Sequence, residues 1–184
     1  MMRVIAGVWR GRRLAALPGT EIRPTMGRVR EALFSILGAR IVGAAVADLC
    51  CGAGALGIEA LSRGAARVDF VDVSEHALAV TEKNLRLCGA ATAVYARHRA
   101  ETCDWLEARL AAKSGAPLIV LADPPYATDV AERLLAALAR WPASRLLAAV
   151  VEHGVAGAPA PPESGPWRTR RRVYGHSALT ILEA

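Results

Sequence analysis

Four consecutive residues, Asp123-Pro124-Pro125-Tyr126, carry the most specific chemical signal in the chain. The two prolines fix φ and donate no N–H. The groups left to face a ligand are acceptors, the Asp123 carboxylate and a proline carbonyl. Such a corner suits a substrate that brings two N–H donors, for example an exocyclic amino group. Tyr126 supplies a flat face on which an extruded base can stack. The amine of a nucleobase is a poor nucleophile because its lone pair is delocalised into the ring. Accepting both of its hydrogens favours a pyramidal nitrogen, so catalysis would rest on positioning and electrostatics. The plainer reading of the same residues is a Pro-Pro turn after a strand, with Asp opening a helix.

A second constellation runs from Asp48 through Gly52-Ala53-Gly54 to Gly57, where an apolar run hands over to a helical one. Gly52 and Gly54 lack Cβ atoms, so a ligand can lie against the backbone, and the helix beyond offers free N–H groups with positive dipole character. Two cofactors fit. Gly52-x-Gly54-x-x-Gly57 is the dinucleotide fingerprint, and Asp72 stands at the spacing of a ribose-binding acid. Asp48, four residues before Gly52, is an acid where the dinucleotide pattern is usually apolar. A carboxylate there suits an ammonium group, which S-adenosylmethionine has and NAD lacks.

The elements that must position these residues alternate. Short apolar runs at 45–49, 67–73, 92–96, 117–122 and 146–153 read as strands. Helical stretches follow at 55–63 (closed by Gly64), 75–88 (capped by Ser74 and stopped by Gly89), near 100–113, and 129–140. Strands alternating with helices predict a parallel α/β sheet with right-handed crossovers, whose ligands bind at the carboxyl ends of the strands. Upstream, 3–8 and 12–17 read as a short basic hairpin. Thr25 reads as the N-cap of a helix with Val29, Leu33, Ile36 and Leu37 toward a core and Arg28 and Arg30 off it. Residues 154–166 read as a Gly/Pro-rich surface loop, followed by two runs that close as an antiparallel pair.

The chain has 184 residues, 53% hydrophobic and 22% charged, which excludes a disordered or collagen-like class and leaves room for one domain. No apolar stretch is long enough to cross a bilayer, and arginine comes too early for a signal peptide, so the expectation is a soluble cytoplasmic protein. Cys50, Cys51, Cys88 and Cys103 lack metal-ligand spacing, so no metal is expected. Net charge is +6, and all of it lies in residues 1–40. These hold Arg3, Arg10, Arg12, Arg13, Arg23, Arg28, Arg30 and Arg40 against Glu21 and Glu31. Arg168, Arg170, Arg171 and Arg172 form a second basic run. Arginine's planar fork suits phosphate, so two basic ends are a candidate polyanion footprint.

Three segments together resemble one bacterial family: Arg23-Pro24-Thr25 with Arg28-Val29-Arg30-Glu31-x-Leu33-Phe34, the Asp48 glycine loop running on through Gly57-x-Glu59-Ala60-Leu61-Ser62-Arg63-Gly64-Ala65, and Asp123-Pro124-Pro125-Tyr126. The chain is similar from Arg3 to its final strand to the 16S rRNA guanine-N2 methyltransferases that act at guanine 966. The amino-terminal segment narrows the match beyond the wider group of amino-methylating enzymes. The resemblance implies a Rossmann-like class I S-adenosylmethionine-dependent fold, a seven-stranded, mostly parallel sheet with an antiparallel last strand. A hairpin extension over 1–22 would precede a methyltransferase domain over 23–184. It implies S-adenosylmethionine at Asp48, Leu49, Gly52, Ala53, Gly54, Asp72 and Val73, and the target guanine at Asp123, Pro124, Pro125 and Tyr126. Ribosomal RNA of the assembling or assembled small subunit would meet Arg3, Arg10, Arg12, Arg13, Arg23, Arg28, Arg30 and Arg170 of a monomer.

The sequence departs from the family at Cys50-Cys51, Ala53, Met26-Gly27 and Arg97-His98-Arg99-Ala100, the last where an adenine-binding Asp or Asn is expected. A DNA adenine-N6 methyltransferase, an NAD oxidoreductase and a non-catalytic RNA-binding assembly factor are the alternative readings.

Overall fold

The computed structural model describes residues 2–19, 24–112, 116–156 and 166–183. Among these, seven strands form one sheet: β1 (Ala45–Leu49), β2 (Arg67–Asp72), β3 (Tyr95–Arg99), β4 (Leu118–Ala122), β5 (Leu146–Gly154), β6 (Arg168–Tyr174) and β7 (Ser177–Glu183). Their order is β3-β2-β1-β4-β5-β7-β6. The first five strands pair in parallel, and β7 runs antiparallel to both β5 and β6. This is the expected doubly wound sheet with its reversed last strand.

Both faces of the central strands are covered, which is why β1, β4 and β5 read as continuous apolar runs. On one face α1 (Pro24–Leu37), α2 (Ala55–Ser62) and α3 (Glu75–Cys88) pack over Val46, Phe70, Leu121 and Val150. On the other, α4 (Thr102–Ala111) and α5 (Val130–Ala139) pack over Leu49, Val120, Val151 and the fully buried Trp141. The third glycine of the loop serves this packing. A Cβ on Gly57 would lie 2.3 Å from Phe70 Cε1, so helix α2 can approach the sheet only without one.

Most boundaries follow local chemistry. Ser74 accepts a hydrogen bond from Ala77 N at 3.2 Å and starts α3, and Gly89 at φ 74° ends it, both as expected. Three expectations need correction. The third strand is 95–99, not 92–96: Thr92–Val94 form a 3-10 turn, and pairing with β2 from Val68↔Tyr95 onward sets the register of a polar edge strand. Thr25 lies inside α1, which starts at Pro24, a residue suited to a first helical position. The amino-terminal hairpin is shorter than 3–8 with 12–17: Arg3 bridges Arg13, Val4 N donates to Arg12 O, Gly11 N to Val4 O and Leu14 N to Met2 O, but among the described residues no regular strand extends beyond these contacts.

That segment is docked on the domain by side chains of α2. Glu59, fully buried, accepts hydrogen bonds from Ile5 N (2.7 Å) and Ala6 N (2.9 Å) and pairs with Arg63 at 2.8 Å. Ser62 Oγ accepts from Trp9 N and donates to Ala6 O, while its carbonyl accepts from Val8 N. Val4 and Leu14 are buried in the same apolar cluster as α1 and α2. Glu59 is therefore the anchor of the extension. Glu59→Ala, which strands two amides and the Arg63 guanidinium, is expected to lower stability by about 3–5 kcal/mol. Urea unfolding measures the loss, and faster tryptic cleavage at Arg10, Arg12 and Arg13 reports that the extension has come away.

Candidate active site

The parallel register brings residues far apart in sequence to one edge of the sheet. Leu49 is level with Val71 on β2 and with Ala122 on β4, and Ala122 is level with Val151 on β5. One residue further on, Cys50, Asp72, Asp123 and Glu152 stand in a row at the carboxyl ends. The order reverses between β1 and β4, the crevice where open α/β sheets bind ligands. A cavity of about 1540 Å³ opens there, lined among others by Asp48, Gly52, Asp72, Asp123, Tyr126 and Glu152.

The glycine loop is stretched over this edge by backbone bonds. Cys50 holds φ 55°, a left-handed conformation costly for a residue with a Cβ, and Cys51 N is tied to Val71 O at 3.0 Å directly after it. Asp72 Oδ2 accepts from Gly52 N and its Oδ1 from Ser74 N, both at 2.9 Å. Gly54 takes φ 78°, and a Cβ there would sit 2.8 Å from Thr81 Cγ2. Of the expected cofactor residues, Asp48, Gly52, Ala53, Asp72 and Val73 line the cavity. Leu49 and Gly54 do not: the Leu49 side chain is in the core beneath α4 and α5, and buried Gly54 faces Thr81.

Two residues that the sequence reading missed hold the loop from α3. Thr81 Oγ1 donates to Gly52 O at 2.9 Å. Asn84 Nδ2 donates to Ala53 O (2.9 Å) and to Ala15 O (3.0 Å), and its Oδ1 accepts from Ala15 N at 2.8 Å. One buried amide thus joins the glycine loop to the amino-terminal extension, whose Leu17 lies beside Gly52. Both residues interrupt the apolar stripe of α3 between Ala77, Leu78, Leu85 and Cys88, which was the available signal.

Across the cavity, the Tyr126 hydroxyl donates to Glu152 Oε1 at 2.6 Å and meets Ser177 Oγ at 2.7 Å, while the residue as a whole is 40% exposed. Burial, then the negative charge of Glu152, pushes the Asp123 carboxyl up to about 7. Burial and the bond to Glu152 push the Tyr126 phenol up as well. Asp48 is raised well above the usual carboxylate range by burial, against the pull of Gly57 N, which donates to its Oδ2 at 2.8 Å; Asp123 and Asp72 add repulsion. Burial lifts the Cys50 thiol to about 11.

This electrostatic pattern separates the two cofactors that the glycine spacing allows. A pyrophosphate would need the helix N-terminus, but the Asp48 carboxylate already accepts a first-turn amide of α2. Several carboxylates around one cavity favour a ligand carrying ammonium and sulfonium charges over one carrying two phosphates.

The expected polyanion contacts divide. Arg3, Arg10 and Arg28 are exposed on the cavity rim, and Arg13 is exposed beyond it. Arg30 lines the cavity but is largely buried, correcting its placement off the core face: it donates to Arg3 O at 2.5 Å and lies 3.9 Å from Glu59. Arg12 is spent on Leu87 O, and Arg170 pairs with Glu183 away from the cavity. Arg23 lies outside the described residues.

Fold and site define a class I methyltransferase architecture. The family model described as "Conserved hypothetical protein 95" matches residues 2–183. Ribosomal RNA small subunit methyltransferase D of Escherichia coli is 36% identical over 99% of this chain and 89% of its own length. The solved Escherichia coli protein yhhF superposes with a TM-score of 0.79 at 33% identity, covering 98% of this chain and 96% of that one. A hypothetical protein of Thermus thermophilus does so with 0.77 at 25% identity over the whole of both chains. The chain belongs to this family, the one whose likeness the Arg-Pro-Thr, glycine-loop and Asp-Pro-Pro-Tyr segments carry.

Asn84→Ala removes the acceptor of Ala15 N and the donor to two carbonyls, a cost of about 1–3 kcal/mol. Hydrogen exchange is expected to accelerate at Ala15 and in the 51–54 loop together in that variant. Acceleration at only one of the two would show that Asn84 does not link them.

Proposed function

We propose that this chain transfers a methyl group from S-adenosylmethionine to the exocyclic N2 amine of a guanine in small-subunit ribosomal RNA. The observation that carries the reading is the adjacency of the glycine loop after β1 and the acceptor corner after β4, level across one cavity. The name of the Escherichia coli relative, a ribosomal RNA small subunit methyltransferase that aligns almost end to end, supports the substrate class.

The residues present fit such a cofactor. Asp72 keeps free lone pairs beyond its two amide bonds and suits the ribose hydroxyls. Asp48 suits the ammonium of the methionine part, and Gly52 and Ala53 leave room against the backbone. When bound, S-adenosylmethionine supplies a methyl group made electrophilic by its sulfonium. The chain does the rest by placement. Asp123 and the Pro124 carbonyl accept the two hydrogens of the amine, concentrating its lone pair on nitrogen and aiming it toward the glycine loop. The exposed Tyr126 ring takes the extruded base on its face. A carboxyl near 7 is matched to neutral pH, so ionised Asp123 can accept both the hydrogen bond and the departing proton. Arg3, Arg10 and Arg28 on the rim meet phosphate, which fixes position more than sequence.

The same reading makes the protein a monomer working in the cytoplasm on RNA of the assembling or assembled subunit. No helix among the described residues is long and apolar enough to cross a membrane, and none of them form a group able to hold a metal ion.

Asp123→Ala is expected to abolish methyl incorporation into small-subunit RNA while leaving S-adenosylhomocysteine affinity, measured by calorimetry, within severalfold. Persistent turnover would make the corner a structural turn. In the wild type, incorporation should rise with pH through about 7, because only ionised Asp123 can take the proton that leaves the amine.

A further inference from the structure

The stacking face of the corner is held from outside the corner. Tyr126 follows two prolines on an exposed turn, where an unrestrained ring would be free to rotate about χ1. Its hydroxyl is gripped by Glu152, near the end of β5, and by Ser177, the first residue of β7. Both belong to strands paired through seven residue pairs, so the grip is rigid. Gly154 completes the seat: a Cβ there would stand 3.3 Å from Tyr126 Cδ2, so the strand lies directly against the ring edge. Glu152 is 7% exposed in a strand whose other buried positions are mostly apolar, and keeping an ionisable group there is costly unless its charge or its bond is used.

We propose that Glu152 is a positioning residue for methyl transfer: by accepting the Tyr126 hydroxyl it sets the plane on which the target base stacks, and so the angle at which the amine reaches Asp123. The inference rests on the amino-methylation reading above and adds to it a residue outside the Asp-Pro-Pro-Tyr corner. Glu152 has a second effect, through charge. Asp123 faces Glu152 from β5, Tyr126 from its own turn, and Asp48 and Cys50 from β1 and its loop. Behind Glu152 stand His153 and, beyond it, Arg171. Of these, Glu152 is the neighbour whose charge holds the Asp123 proton most firmly.

Geometry and charge separate in two substitutions. Glutamine keeps an oxygen that accepts the Tyr126 hydroxyl but carries no charge, whereas alanine removes both. Steady-state methylation of small-subunit RNA by Glu152→Ala is expected to show a KM for RNA raised about tenfold or more and a lowered kcat. S-adenosylhomocysteine affinity should stay within threefold, which also confirms folding. Glu152→Gln is expected to hold the RNA KM within about threefold. The acidic limb of its kcat/KM profile should move to lower pH, since Asp123 ionises more readily without the neighbouring charge. Tyr126→Phe, which keeps the ring and loses the hydroxyl, is expected to repeat the KM effect of Glu152→Ala, so the test stands even if the alanine variant fails to fold. An unchanged RNA KM in Glu152→Ala or Tyr126→Phe would overturn the positioning role. An unmoved acidic limb in Glu152→Gln would overturn the role of charge. If the wild type in the same assay methylates no guanine amine, the parent reading fails instead, which separates the two failures.

Discussion

The parallel pairing of β1 with β4, register Leu49 to Ala122, is the constraint on which the site depends. Two loops with separate chemistry, one rich in glycine and one closed by prolines, leave the sheet side by side because their strands end at the same height. Parallel neighbours need crossover helices on the faces, and these cover the apolar strands while leaving the carboxyl edge open. A slip of one residue would turn Asp48 from its amide partner on α2 and carry Asp123 away from Glu152. The cluster of carboxylates at that edge is repulsive in itself. It persists because backbone amides of Gly52, Ser74 and Gly57 and the Tyr126 hydroxyl each satisfy one of its members.

The amino-terminal extension is the second layer of the same design. Glu59 and Ser62 bind its backbone at one end and Asn84 at the other, so it is docked by buried side chains and not by a sheet. Since Asn84 also holds Ala53, the wall that carries Arg3 and Arg10 and the glycine loop share one amide. The rim and the loop beneath are therefore tied through a single side chain.

The fold was readable from the sequence because its strongest signals are local: β1, β4 and β5 are buried on both faces, and Ser74 and Gly89 end α3 by their own chemistry. The edge strand starts three residues later than its sequence suggests because its residues are polar and its start is set by pairing with Val68, which is a tertiary fact. The two motifs were found because each is contiguous. Glu152, Ser177, Thr81 and Asn84 escaped notice because each acts across the sheet or between elements, and one sequence does not say which neighbour a buried polar residue will meet. The visible trace was an acid or amide inside an apolar run: Glu59 in α2, Asn84 in α3, Glu152 in β5. Arg12, Arg30 and Arg170 show the converse, for a charge count does not distinguish a guanidinium on the rim from one already bonded to the protein.

Nucleoside analysis identifies directly which atom receives the methyl group. Purified protein is incubated with labelled S-adenosylmethionine and, in parallel, small ribosomal subunits, naked 16S rRNA and duplex DNA, and the labelled nucleoside is identified. N2-methylguanosine from the ribosomal samples is the predicted result. N6-methyladenine from DNA, or no label in any sample from protein that binds the cofactor, would contradict the account.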